Sequence, residues 1–188
     1  MATPPTTSGW SYSEFARLPS DDGNRYEVIE GELYVTPSPR SLHQAAVTAL
    51  TGTLGAFVEE HGLGWVLAGP IDVLFAEGDY LAPDLVFVRR ERRGIISDRG
   101  LEGAPDLVVE VLSESTAGRD RVLKRRRYAH FGVPEYWVAD PDAKLIEVYR
   151  LGRGAEAPEV CREELRWRPV VDGPELVLTV PDVLRGFE

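Results

Sequence analysis

The order of apolar and polar positions divides the 188-residue chain into short strands and two long helices. Between Ser41 and His61, the residues Leu42, Ala45, Ala46, Ala49, Leu50, Thr53, Leu54, Phe57 and Val58 recur at spacings of three and four. That spacing predicts an amphipathic helix ending before Gly62 and Gly64. A second helix is predicted over 117–131, closed by Gly132 and Pro134. Ser11 and Glu14 have capping-box spacing, which predicts a short helix over 12–18. Segments 26–29 and 32–35 flank Glu30-Gly31 and read as a hairpin. Further strands are predicted at 65–68, 71–75, 85–88, 107–112, 135–139 and 145–149, with weaker ones near 163–167 and 176–180. Segments 85–88 and 107–112 are apolar without alternation, as central strands covered on both faces are. The expected class is α/β (α+β): a central mixed sheet flanked by a helix on each side.

Composition narrows the function. Hydrophobic residues make up 43% and charged residues 28%, which excludes a disordered or collagenous chain. The single cysteine, Cys161, excludes an intramolecular disulfide and suits a reducing compartment. Residues 1–10 read as a flexible tail, and 11–188 as one domain. The first residues lack the basic and apolar regions of a secretory signal, and no apolar run is long enough for a membrane span. The expectation is a cytoplasmic protein with no membrane partner. A net charge of −10 argues against attachment to nucleic acid by bulk charge, though not against a local basic patch. Such a patch exists: residues 119–127 carry a net +5, which leaves −15 for the rest of the chain. It reads either as a solvated helix face or as a phosphate contact. Within it Asp120, Lys124 and Tyr128 are spaced four apart and share a stripe.

Glu110 is the anomaly. It interrupts the apolar run from Leu107 to Leu112, where an unpaired carboxylate costs several kcal/mol. It must therefore be paired, protonated or bound to a metal. Asp84 opens the other apolar run, directly after Pro83. If the two strands are neighbours, Asp84 and Glu110 converge at one end of the sheet, and two hard oxygen ligands suit Mg²⁺ or Mn²⁺. The competing reading makes Asp84 a strand-start cap and Glu110 the partner of a base. Asp106 repeats the Pro-Asp pattern and reads as a strand-start residue; Asp72 is a weaker candidate carboxylate. His43 opens the long helix just after Pro37-Ser38-Pro39, and could contact the site from there. Arg89, Arg90, Arg92 and Arg93 read as a solvated loop or short helix.

Five blocks in order carry a resemblance. They are Tyr26 to Leu33, Pro83 to Val88, Pro105 to Thr116, Asp120 to Lys124 to Tyr128, and Gly132 to Pro141. Together they resemble the Uma family of restriction endonucleases, within the PD-(D/E)xK superfamily. The resemblance implies a restriction-endonuclease-like core and divalent-cation-dependent hydrolysis of nucleic acid, DNA in the first place. It implies that Asp84 and Glu110 are the metal ligands and that Asp84, Glu110 and a lysine are catalytic. This chain departs from the motif at Leu112, where the lysine is expected; Lys124, on the following helix, is the candidate replacement. The alternative is a module that keeps the fold and binds nucleic acid or protein without cutting. A weaker third reading is a hydrolase of small phosphorylated substrates. A homodimer is expected through the strands at 163–180 and an exposed Trp167.

Overall fold

The computed structural model describes residues 9–19, 21–113, 117–153 and 157–187. Most of the segment read as a tail, and residues 114–116 of the third block, lie outside them. The hairpin forms as expected, from β1 (Arg25–Ile29) and β2 (Glu32–Thr36). Next come the long helix α2 (Ser41–Glu60), β3 (Gly64–Ala68), β4 (Val73–Ala76), β5 (Asp79–Leu81) and β6 (Leu85–Arg89). The first helix, α1 (Tyr12–Phe15), is shorter than its pattern suggested, although the capping box is present. Two short strands, β7 (Ile96–Ser97) and β8 (Gly100–Leu101), precede the central β9 (Leu107–Val111). The later strands are β10 (Glu135–Asp140), β11 (Leu145–Tyr149), β12 (Glu159–Cys161), β13 (Glu164–Trp167) and β14 (Leu176–Thr179). No helix among the described residues is long and apolar enough to cross a membrane.

The main sheet has the order β12-β11-β10-β9-β6-β3. It is mixed: β9 and β10 run parallel, while β6 and β9 run antiparallel. Alternation along β9 sends its side chains to two different cores. Leu107, Val109 and Val111 join Ala46, Leu50, Leu54 and Val58 of α2 on one face. Val108 and Leu112 join Tyr128, Val86 and Val138 on the other. A second sheet, ordered β2-β1-β5-β4-β8-β7, contributes Ile29, Val73, Leu81 and Leu101 to that second core. This explains why the run at 107–112 lacks alternation.

The second helix is one helical stretch with a defect. It comprises α3 (Ala117–Arg119), a π-helical turn (Asp120–Lys124) and α4 (Arg125–His130). Short π segments inside helices recur at functional sites. Here the turn buries both Asp120 and Lys124. Of the arginine cluster at 89–93, Arg89 ends β6 and the rest lie in a 3₁₀ helix, Arg90–Ile95; two of these arginines serve the fold. Asp106 accepts the Arg89 N–H at 2.9 Å, Arg89 Nε at 2.7 Å and Arg92 Nη1 at 2.9 Å. Asp106→Ala is therefore expected to destabilise the fold by about 2 kcal/mol in chemical denaturation, with no effect on the chemistry at Asp84 and Glu110.

One expectation is overturned. Trp167 is buried, and its ring packs edge-on against Phe87 and Trp137, at 5.2 and 5.8 Å between centroids. The β13–β14 hairpin closes the chain's own core, so Trp167 supplies no anchor for a dimer.

Candidate active site

The register between β6 and β9 pairs Leu85 with Val109. Extended by one residue, it sets Asp84 opposite Glu110, so the two sequence candidates do come from adjacent strands. Each is held by its own cation. Asp84 Oδ1 accepts from Arg25 Nη1 at 2.6 Å. Asp84 Oδ2 accepts from His43 Nε2 at 3.1 Å and from the Val111 N–H at 2.8 Å. The side chain thus takes the place of a ladder acceptor just beyond the end of β6. Close approach helps to fix it: the Gly69 N–H donates to the Asp84 carbonyl at 2.7 Å, and a Cβ at Gly69 would lie 2.3 Å from the Pro83 carbonyl oxygen. Burial alone would raise the Asp84 pKa, but the His43 hydrogen bond and the Arg25 guanidinium outweigh it and hold the carboxyl at about 2.

Glu110 projects into the second core with Val108 and Leu112, toward the helix that carries Lys124. Lys124 Nζ lies 3.0 Å from Glu110 Oε1, 2.8 Å from Glu27 Oε1 and 3.3 Å from Asp120 Oδ1. Tyr128, one turn on, donates its hydroxyl to the same Glu110 oxygen at 2.9 Å. Glu27 lies on β1 two residues before Ile29 and shares its face, so it reaches the cluster from the second sheet. Its Oε1 also accepts the Ala82 N–H at 3.0 Å. Its Oε2 is buried with no hydrogen-bond partner among the described residues, 3.5 Å from Arg119 Nη2.

One ammonium therefore faces three buried acids. Burial pushes Glu110 up to about 8; Lys124 opposes the shift, and the charges of Asp120, Asp84 and Glu27 add to it. Glu27 moves the other way: burial opposes its charge, but Lys124 and then Arg25 hold it below the usual carboxylate range. Lys124 stays cationic despite burial, because Glu110, Glu27 and Asp120 surround it. The consistent state at neutral pH is an ionised Glu27–Lys124 pair beside a protonated Glu110.

A cavity of 430 Å³ opens onto the Asp84 edge of this cluster, lined by Arg25, Arg40, His43, Asp84, Ser113 and the Thr36–Pro39 turn among others. Asp84 is 3% exposed, whereas Glu110 and Lys124 lie deeper, at 1% and 0%. Among the described residues, no group of three or more His, Cys, Asp or Glu side chains is arranged to hold a metal ion. Asp72 is half-buried, and its carboxyl is pushed up by burial and by the charge of Glu27.

The structure thus brings Asp84, Glu110, Lys124, Asp120, Tyr128 and His43 into one region. Arg25 and Glu27 join them unannounced by the sequence reading. The basic stripe is largely spent on internal pairs. Arg121 binds Asp140 and Glu147 at 2.9 and 3.0 Å, and Arg127 binds both oxygens of Asp79 at 3.0 and 2.6 Å.

No curated protein matches the chain. Among solved structures, a "putative nuclease belonging to DUF820" from Anabaena variabilis is similar, with a TM-score of 0.72 and 20% identity. The similarity covers 93% of this chain and 97% of that one, and at this identity it establishes the fold. The model of the Uma2 family, "Putative restriction endonuclease", matches residues 12–187, and the chain belongs to that family.

Proposed function

We propose that the chain is a Mg²⁺- or Mn²⁺-dependent endonuclease that hydrolyses phosphodiester bonds, with DNA as its substrate. The observation that carries this reading is the position of Lys124. Its ammonium lies 3.0 Å from Glu110, although the motif position, just after β9, is Leu112. That contact supports Lys124, from the helix, as the lysine of an acid–acid–lysine set with Asp84 and Glu110.

The donor set fits a small, hard divalent ion. Asp84 and Glu110 offer carboxylate oxygens from facing positions, and such ions take one or two carboxylates and complete their shell with water and substrate phosphate. A bound ion would lower the pKa of an attacking water and neutralise charge on the phosphate. The protein's own groups do the rest. Asp84 is fixed through Oδ2 by His43 and the Val111 N–H, while Oδ1 pairs with Arg25, which lines the cavity. Glu110 must give up its proton to serve as a ligand, so ion binding is expected to release a proton and strengthen as pH rises toward 8. Lys124 keeps its charge beside Glu110 and can stabilise negative charge that develops there.

The test is nicking of supercoiled plasmid with Mg²⁺ or Mn²⁺. Wild-type protein is expected to nick, chelator to stop it, and Asp84→Asn to slow it about a hundredfold. Equal nicking by wild type and Asp84→Asn would mean a contaminating nuclease and remove the enzyme claim. Binding without nicking would favour the non-catalytic module.

A further inference from the structure

Arg25 stands apart from the other cations near the acids. Lys124 is fully buried among three carboxylates, whereas the Arg25 side chain is 21% exposed and lines the cavity. It sits at the last register pair of the hairpin, Arg25 with Thr36, directly after Gly23 and Asn24, which also line the cavity. Gly23 has a φ of +76°, a conformation that suits glycine.

The two oxygens of Asp84 are held differently. Oδ2 is fixed by His43 and by the backbone N–H of Val111, both rooted in regular elements. Oδ1 takes its hydrogen bond, among the described residues, from the Arg25 guanidinium at 2.6 Å. If Arg25 moves away, Asp84 keeps two donors and its orientation. Asp84 is thus held in place without Arg25.

We propose that Arg25 is a stand-in cation at Asp84: it neutralises Oδ1 in the metal-free protein and transfers to the substrate phosphodiester when a divalent ion takes that oxygen. This rests on the metal-dependent reading above. A guanidinium suits both tasks, because its planar fork pairs with carboxylate and phosphate alike. Its cavity position gives it access to a phosphate that Lys124 lacks. Two cations cannot share one oxygen without mutual repulsion, so metal and Arg25 compete for it.

The competition has an unusual consequence, since removing the arginine should improve metal binding while harming turnover. Mn²⁺ binding is measured by calorimetry on wild type, Arg25→Met and Asp84→Asn. Arg25→Met is expected to bind Mn²⁺ about tenfold more tightly than wild type and to nick DNA with a KM raised about tenfold. A merely structural arginine would give equal or weaker Mn²⁺ binding on removal, and that result would overturn the proposal. Wild-type protein provides a second measurement, independent of how Arg25→Met folds. Phenylglyoxal labelling, mapped by mass spectrometry, should modify Arg25 several-fold faster with Mn²⁺ than in chelator. Arg25 labelling unchanged by Mn²⁺, in a protein that binds Mn²⁺ through Asp84, would refute the exchange and leave the metal reading intact. Mn²⁺ binding equally weak in wild type and Asp84→Asn would refute both.

Discussion

Lys124→Met is expected to destabilise the protein by about 3–5 kcal/mol and to abolish nicking. Both effects come from the same ammonium. The side chain has no exposed surface and lies within 3.3 Å of Glu27, Glu110 and Asp120. Removing it leaves the Glu27 carboxylate buried, with only Arg119 at 3.5 Å and the more distant field of Arg25 to offset its charge. An uncompensated buried charge of this kind costs far more than the pair contributed. The remedy is to neutralise the orphan. The double variant Glu27→Gln/Lys124→Met should regain part of the lost stability in urea denaturation, because the Glu27–Lys124 pair is removed together while Asp120 stays without its lysine. Nicking should not return, since the positive charge beside Glu110 is still missing. Stability and activity would then separate cleanly. If the double variant is as unstable as Lys124→Met alone, Glu27 is not the group that Lys124 neutralises. If either variant nicks at the wild-type rate, Lys124 has no catalytic part.

The split between what was legible and what was not follows the range of the interactions. Glu110 announced itself locally, because a carboxylate in an uninterrupted run of Leu and Val has few acceptable environments. Asp84 was legible for the same reason, one residue before a second such run. Lys124 was reached through the spacing of Asp120, Lys124 and Tyr128, which places them on one stripe whether the turn is α or π. Glu27 gave no such signal. It lies in a hairpin flanked by Tyr26 and Val28, and a two-stranded ribbon leaves one face open to water unless something covers it. The covering comes from the second core, shared with β9 and the Lys124 helix, and depends on contacts far apart in sequence. Part of that second sheet was invisible for a simpler reason. The strand β5 has only three residues, Asp79–Leu81, too few to show a period. His43 was flagged by its position at the helix start, but its partner Asp84 lies 41 residues away. Arg25 gives no local signal; only the fold, which sets it at the end of the hairpin beside Asp84 and the cavity, gives it a role. Trp167 erred in the opposite direction: a tryptophan in a weak terminal strand looked exposed, yet it fills the space between Phe57, Phe87 and Trp137.

In chelator, Glu110→Gln is expected to be more stable than wild type at pH 8, and the difference should shrink toward zero near pH 4.5. The sign follows from the proton balance. The ordinary glutamate value is 4.5, and burial raises Glu110 to about 8 in the folded protein. Between those values the native state holds a proton that the unfolded state has released, so wild-type stability falls as pH rises. The contribution of protonated Glu110 is complete below about 4.5 and is lost as pH passes through 8. Glutamine mimics the protonated form at every pH and can still accept from Lys124 and Tyr128 through its amide oxygen. The gain should reach the order of a few kcal/mol by pH 8, read from thermal melts across pH 5 to 8.5. Mg²⁺ or Mn²⁺ should reverse the ranking. An ion that binds the folded wild type displaces the proton and raises its melting temperature, while Glu110→Gln has lost that ligand and should gain little. A wild type more stable than Glu110→Gln at pH 8 in chelator would mean that Glu110 is ionised and fully compensated by Lys124. The buried acid would then be a structural ion pair, and the case for an exchangeable proton at a cation site would be lost.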